Sequence, residues 1–139
     1  MRILIVEDNP SDRELLLEAL QEHFGDQAKF RETSDLTSAY GLLERGGVDC
    51  IVLDLNLPDS VGLDTFARIY AAYPHIPIIV MTHNTDLDLA TKMIGRGAED
   101  FVIKNYGNTT ALFRRILFAI ERNHRNQRRL MKAGAANGS

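Results

Sequence analysis

Five residues able to do chemistry each stand directly behind a short apolar run. Glu7 and Asp8 follow Ile3-Leu4-Ile5-Val6, Asp54 follows Ile51-Val52-Leu53, Thr82 follows Ile78-Ile79-Val80-Met81, and Lys104 follows Phe101-Val102-Ile103. If those runs lie side by side, three carboxylates, a hydroxyl and an ammonium meet in one small volume. Two carboxylates roughly 5 Å apart repel by about 3 kcal/mol at an effective dielectric of about 20, so the cluster wants a cation. All-oxygen donors with room for water suit Mg²⁺ or a similar hard ion, and no His or Cys stands at these positions to hold zinc. Beside such a cation Asp54 is suited to attack a phosphoryl group, with Lys104 as a charge partner for its oxygens and Thr82 as a hydrogen-bond donor to them. Each element alone is weak: an acidic pair is often a solvated loop, Asp54 can cap a turn, and Lys104 can be a surface lysine. The weight lies in all of them occurring in order, each behind a buried strand.

The elements that must position these residues are legible in the same pattern. Short unbroken apolar runs are the mark of strands covered on both faces, hence of inner strands in a parallel sheet. Between them Leu16, Leu20 and Phe24, then Phe113, Ile116, Leu117 and Ile120, fall at helical spacing and turn one apolar stripe to a sheet. Gln27 to Thr33 alternates around Phe30 and suits an edge strand, second in sequence and outermost in space. Asn9 and Pro10 start the first helix, Gly25 ends it, and Gly46-Gly47 separates the second helix from the third strand. The expectation is a doubly wound α/β fold: five parallel strands in the flavodoxin-like order 2-1-3-4-5, with helices on both faces. In such a sheet ligands sit beyond the carboxyl ends of the strands, where the five residues fall.

Composition narrows the class. The chain has 139 residues, 45% hydrophobic and 25% charged, which is one ordinary globular domain. No apolar run reaches the roughly 18 residues of a membrane span and no signal-peptide segment precedes Glu7, so a cytoplasmic protein without membrane attachment is expected. The single cysteine, Cys50, excludes a disulfide within the chain and reads as a buried apolar residue. The net charge of −3 hides an asymmetry. Arg114, Arg115, Arg122, Arg125, Arg128, Arg129 and Lys132 face Glu121 alone, leaving the rest of the chain with twice as many acids as bases. The body is therefore not expected to bind nucleic acid directly. Past Ile120 the apolar stripe stops, so the chain divides into a domain over 1–124 and a basic helical extension with a disordered tail over 125–139, the disorder starting at Ala133.

The stretches "ILIVEDNP", "IVLDLNLPDSVGLD", "IIVMT" and "GAEDFVIK" resemble the receiver domain of bacterial two-component response regulators over nearly everything from Met1 to about Arg122. The resemblance implies that Asp54 is the phosphoacceptor. It implies that Asp8, Asp54 and the backbone carbonyl of Asn56 bind Mg²⁺ directly, with Glu7 acting largely through water. Thr82 and Lys104 would contact the phosphoryl group, and Phe101 stands where the family places its switch aromatic. The implied function is a phosphorylation-activated switch, charged by a sensor histidine kinase or a histidine phosphotransfer protein and read out through protein contact. A homodimer through the fourth helix, fifth strand and last helix is a further implication. Such a module is not an enzyme beyond Mg²⁺-assisted self-phosphorylation and self-dephosphorylation.

Two positions depart from the family pattern. Asn105 follows the lysine where the family usually has a proline in a cis peptide, and His83 replaces a small residue beside the phosphoryl site, which predicts restricted access. The arginine-rich last helix resembles receivers that precede sensory, cyclase or phosphatase domains. Other classes fit less well. A flavodoxin-like electron carrier would need a Gly/Ser/Thr phosphate loop where Glu7-Asp8-Asn9-Pro10 stands. An Asp-nucleophile phosphohydrolase would need a second acid just after Asp54, where Leu55-Asn56 supplies none. A receiver-like module that binds partners without phosphorylation sits poorly with the intact acidic set.

Overall fold

The computed structural model describes residues 1–83, 87–105 and 108–137. Its strands are β1 (Arg2–Val6), β2 (Lys29–Thr33), β3 (Cys50–Asp54), the two-residue β4 (Asn56–Leu57) and β5 (Ser60–Val61), β6 (Ile78–Thr82) and β7 (Asp100–Ile103). Five of them form one parallel sheet in the order β2-β1-β3-β6-β7, while β4 and β5 pair only with each other as an antiparallel hairpin. With that hairpin set aside the order is the expected 2-1-3-4-5, with the Lys29–Thr33 strand on the edge. The helices are α1 (Pro10–Phe24), α2 (Leu36–Leu43), α3 (Gly62–Ala72), α4 (Leu87–Gly95) and α5 (Thr110–Asn137).

Strand side chains alternate in direction, so each apolar run feeds two cores. Ile3, Ile5, Cys50, Val52, Ile79 and Met81 pack with Leu16, Leu20 and Phe24 of α1 and Leu112, Ile116 and Ile120 of α5. Leu4, Val6, Ile51, Leu53, Ile78 and Val80 pack with Leu36, Ala39 and Leu43 of α2, Phe66 and Ile69 of α3 and Met93 of α4. The unbroken hydrophobicity of β3 and β6 follows, since every residue of both is buried. Cys50 is wholly buried, and desolvation pushes its thiol far above the ordinary range, which makes it an inert core residue.

Helix ends have local causes. The Asn9 side chain accepts from the Asp12 N–H at 3.0 Å and Pro10 occupies the first turn, where a missing N–H costs nothing. Gly25, at φ +55°, closes α1 in a backbone conformation that other residues seldom adopt. The start of α2 has a device outside the sequence reading. Asp35 caps it by accepting from Ser38 N–H, and Asp59, arriving from the β4–β5 turn, accepts from the N–H groups of Leu36 and Thr37 at 2.9 and 3.1 Å. Those hydrogen bonds hold the Asp59 carboxyl below its usual range and tie the hairpin to α2.

α5 corrects one expectation. It runs unbroken to Asn137, through residue 124 and into the segment expected to be disordered from Ala133. A helix already nucleated against the sheet adds residues cheaply, and the alanines of this end have the highest helix propensity. Leu112, Ile116, Ala119 and Ile120 are buried in its first half, whereas Leu130 and Met131 are 71% and 74% exposed. Two pairs fasten it to β7 and the turn before it: Arg115 with Asp100 at 2.6 Å and Arg122 with Glu99 at 2.8 Å. Among the described residues no helix is long and apolar enough to cross a membrane.

The two halves of α5 should therefore respond differently in urea denaturation. Ile116→Ala leaves a cavity in the core and should cost about 2–5 kcal/mol. Residues 127–134 are exposed, so deleting 127–139 should change stability by no more than about 0.5 kcal/mol while lowering the helical circular dichroism signal.

Candidate functional site

The parallel sheet sends the carboxyl ends of β1, β3 and β7 to one edge. A hollow of about 240 Å³ opens there, lined by Glu7, Asp8, Asp54, Asn56 and Lys104 together with Asn9, Asp12 and His83. One carboxylate oxygen from each of Glu7, Asp8 and Asp54 falls within 4.8 Å of the others. Glu7 and Asp54 are buried and Asp8 is exposed, so the cluster has a dry floor and an open mouth.

Lys104 supplies the positive charge. Its Nζ donates to both oxygens of Glu7, at 3.0 and 3.1 Å, and stands 3.4 Å from Asp54 Oδ2 and 3.7 Å from Asp12 Oδ2. The lysine and Glu7 side chains are 4% and 3% exposed, so the pair is desolvated. Burial and the adjacent Asp54 carboxylate push Glu7 up to about 8, against the pull of the lysine. For Lys104, burial disfavours the charge, but the hydrogen bond to Glu7 and the charges of Asp54 and Glu7 outweigh it and hold the ammonium above the ordinary lysine range. The site thus gathers the carboxyl groups of Glu7, Asp8, Asp12 and Asp54 around one buried ammonium, so its acids outnumber the lysine that holds them.

The loop after Asp54 is built tightly. Asn56 N–H donates to Asp54 Oδ1 at 3.3 Å, Gly62 N–H donates to the Leu55 carbonyl at 2.9 Å, and Gly62 takes φ +63°. The fully buried Thr65 hydroxyl bonds to the Leu55 carbonyl and to Ser60 Oγ, pinning the hairpin to α3. This is what puts Asn56 at the rim of the hollow.

Thr82 and Phe101 lie outside the lining of the hollow. Thr82 is buried at the end of β6, and its carbonyl accepts from Lys104 N–H at 2.9 Å. Phe101 is half-buried against the core on the α2, α3 and α4 side of the sheet. It pairs in register with Val80, two residues before Thr82, so Thr82 and Phe101 point to the same face. The peptide between Lys104 and Asn105 is trans. The His83 side chain is 72% exposed, with Nε2 3.8 Å from Asp12 Oδ2. Asp12 escaped the sequence reading. Its signal was an acid in the first turn of a capped helix that begins two residues after Asp8, a place a helix N-terminus favours for negative charge.

Removing the lysine should destabilise the metal-free protein in a pH-dependent way. Glu7 titrates near 4.5 when unfolded and near 8 when folded, so the stability present below 4.5 is lost as pH rises through 8. Lys104→Met removes the group that opposes this shift, so the loss relative to wild type should grow with pH. Urea unfolding at pH 9 should show a deficit approaching the roughly 3–5 kcal/mol of a buried charge stripped of its partner, and a smaller one at pH 5.5.

A profile of the response regulator receiver domain matches residues 3–117. The regulatory protein LuxO of Vibrio vulnificus (strain YJ016) is 43% identical over 56 residues, which are 40% of this chain and 12% of that protein. The matches cover from 12% to 56% of the length of the curated relatives. The signal receiver domain of a putative Luxo repressor protein from Vibrio parahaemolyticus superposes with TM-score 0.75 at 28% identity, covering 91% of this chain and 94% of that one. The beryllofluoride-activated NtrC4 receiver domain dimer superposes with TM-score 0.74 at 27% identity, covering 88% and 98%.

Proposed function

Because this chain belongs to the response regulator receiver domain family and so to two-component signalling, we propose that Asp54 is its phosphoacceptor and that the aspartyl phosphate switches its surface. The observation that carries the reading is the position of Lys104 Nζ, 3.4 Å from Asp54 Oδ2 and buried among carboxylates. In the proposed reaction an Asp54 oxygen attacks the phosphorus of a phosphohistidine on a sensor kinase or phosphotransfer protein. The P–O bond forms as the P–N bond breaks, and the leaving imidazole nitrogen keeps the electron pair and takes a proton. Lys104 meets the transferred oxygens, and the Thr82 hydroxyl donates to one of them.

The donor chemistry fits Mg²⁺, since all three cluster residues offer carboxylate oxygen and the mouth leaves room for water. Asp8, Asp54 and the Asn56 carbonyl would hold it, with Glu7 behind through water. Bound there, the ion would neutralise the cluster and the charge of an arriving phosphoryl group. Lys104, freed from part of its duty to Glu7, could then turn to the phosphoryl oxygens.

Transmission would run along one face of the sheet. Thr82, drawn toward the phosphoryl group, vacates space on the side where Phe101 packs, and Phe101 turns inward. Phenylalanine has no hydroxyl to hold an outward state, so packing alone sets its balance, and the inward rotamer should be populated in part beforehand. The receiving surface is the one formed by α4, β7 and α5. Among its exposed apolar residues are Ile94 of α4 at 45%, Ile103 of β7 at 45% and Phe118 of α5 at 54%. Exposed apolar side chains on these three elements would suit pairing of two copies, the state that the related NtrC4 receiver takes when activated by beryllofluoride. The Asp86 end of the fourth helix lies outside the described residues.

Acetyl phosphate with Mg²⁺ should add one phosphoryl group by intact mass, and chelation should abolish it. An equal yield on Asp54→Asn would assign the reaction elsewhere. A beryllofluoride titration followed by NMR should move the signals of Phe101 and of residues 88–94 as well as those beside Asp54. Perturbations confined to the neighbourhood of Asp54 would rule out this route.

A further inference from the structure

At the other end of the sheet, where β1 and β3 begin, three exposed arginines line one hollow. Arg2 comes from β1, Arg31 from β2 and Arg45 from the turn after α2, over a floor that includes Leu4, Leu42 and Val48. Its volume is about 100 Å³. Among the described residues none of the three makes an ion pair. Arg68, Arg115 and Arg122 each hold a carboxylate, and Arg13 holds the Glu7 carbonyl. The nearby acid Asp49 is engaged elsewhere: Oδ2 accepts the backbone N–H of Arg2 at 2.8 Å, and Oδ1 stands 3.7 Å from His124 Nε2.

The turn beneath is shaped to bring the backbone close. Gly46 and Gly47 take φ +75° and +82°, and a Cβ at Gly47 would come within 2.9 Å of Arg2 Nη1. Glycine there lets the Arg2 side chain lie across the turn. The amides of Gly47 and Val48, which line the hollow, donate to no described residue.

We propose that this hollow binds the phosphate group of a small anion, carried by a phosphomonoester or as free phosphate. A carboxylate offers two oxygens in one plane. A phosphate offers at least three in a tetrahedron, which suits three guanidinium forks arriving from three elements. The volume restricts the ligand to a small molecule, and the apolar floor gives a short organic body something to cover. The site stands apart from Asp54, so it does not depend on the phosphoacceptor reading.

The test uses the full chain carrying Asp54→Asn, ¹⁵N-labelled, titrated with phenyl phosphate, inorganic phosphate and benzoate in Mg²⁺-free buffer. Saturable shifts are expected at the amides of residues 46–48, with either phosphate binding at least tenfold tighter than benzoate. Arg31→Ala and Arg45→Ala, both on exposed side chains, should each weaken that binding about tenfold or more, whereas Arg125→Ala with Arg128→Ala should leave it unchanged. Tighter binding of phenyl phosphate assigns the site to an ester, and equal binding assigns it to the free ion. Shifts that do not saturate, benzoate binding as tightly as phosphate, or unchanged affinity in both pocket variants would overturn the proposal.

Discussion

The site depends on one desolvated ammonium. Lys104 Nζ sits within 3.7 Å of oxygens from Glu7, Asp54 and Asp12 and is almost fully buried. Carboxylates taken this far out of water are costly unless matched, and the lysine matches one charge fully and shares itself with the others. The rest of the architecture serves that arrangement. A parallel sheet buried on both faces brings the ends of β1, β3 and β7 together, and the Asn9 cap swings Asp12 into reach. The hairpin clamped by Thr65 sets the rim. The charge shortfall that remains is the physical opening for a divalent ion, and Glu7, pushed up to about 8, is the group that registers it.

On the proposed reading the same sheet separates chemistry from readout. Asp54 lies in the α1 and α5 phase of β3, since Cys50 and Val52 pack on that side, while Thr82 and Phe101 share the opposite face. On that reading a change at the strand ends would reach the α4 side by moving one threonine, without disturbing the core under α1. The pairs Arg115–Asp100 and Arg122–Glu99 tie α5 to the β7 region, so a shift there would be passed to that helix.

The two hollows also differ in charge. Glu7, Asp8, Asp12 and Asp54 line a hollow at the carboxyl ends of the strands, Arg2, Arg31 and Arg45 line one at the amino ends, where Asp49, Glu99 and Asp100 also stand, and a long basic helix leaves Leu130 and Met131 exposed. The lining of each hollow, more than the net charge of −3, describes what it can attract.

The sequence by itself determined the parallel sheet, its order, the Lys29–Thr33 edge and the five residues behind its strands, because strands buried on both sides, such as β3 and β6, leave unbroken apolar runs; the run of β7 reads the same way, yet β7 is the other edge and none of its residues is fully buried. It also located the caps of α1, which act within a few residues. Tertiary structure alone decided what lies far apart in sequence. Asp59 capping α2, Asp12 facing Lys104 and three arginines meeting at the opposite edge are products of folding and carry no local period. So is the reach of α5 to Asn137: read alone, its polar end lacks a face to bury, but a helix nucleated against the sheet by Leu112 and Ile116 extends without one.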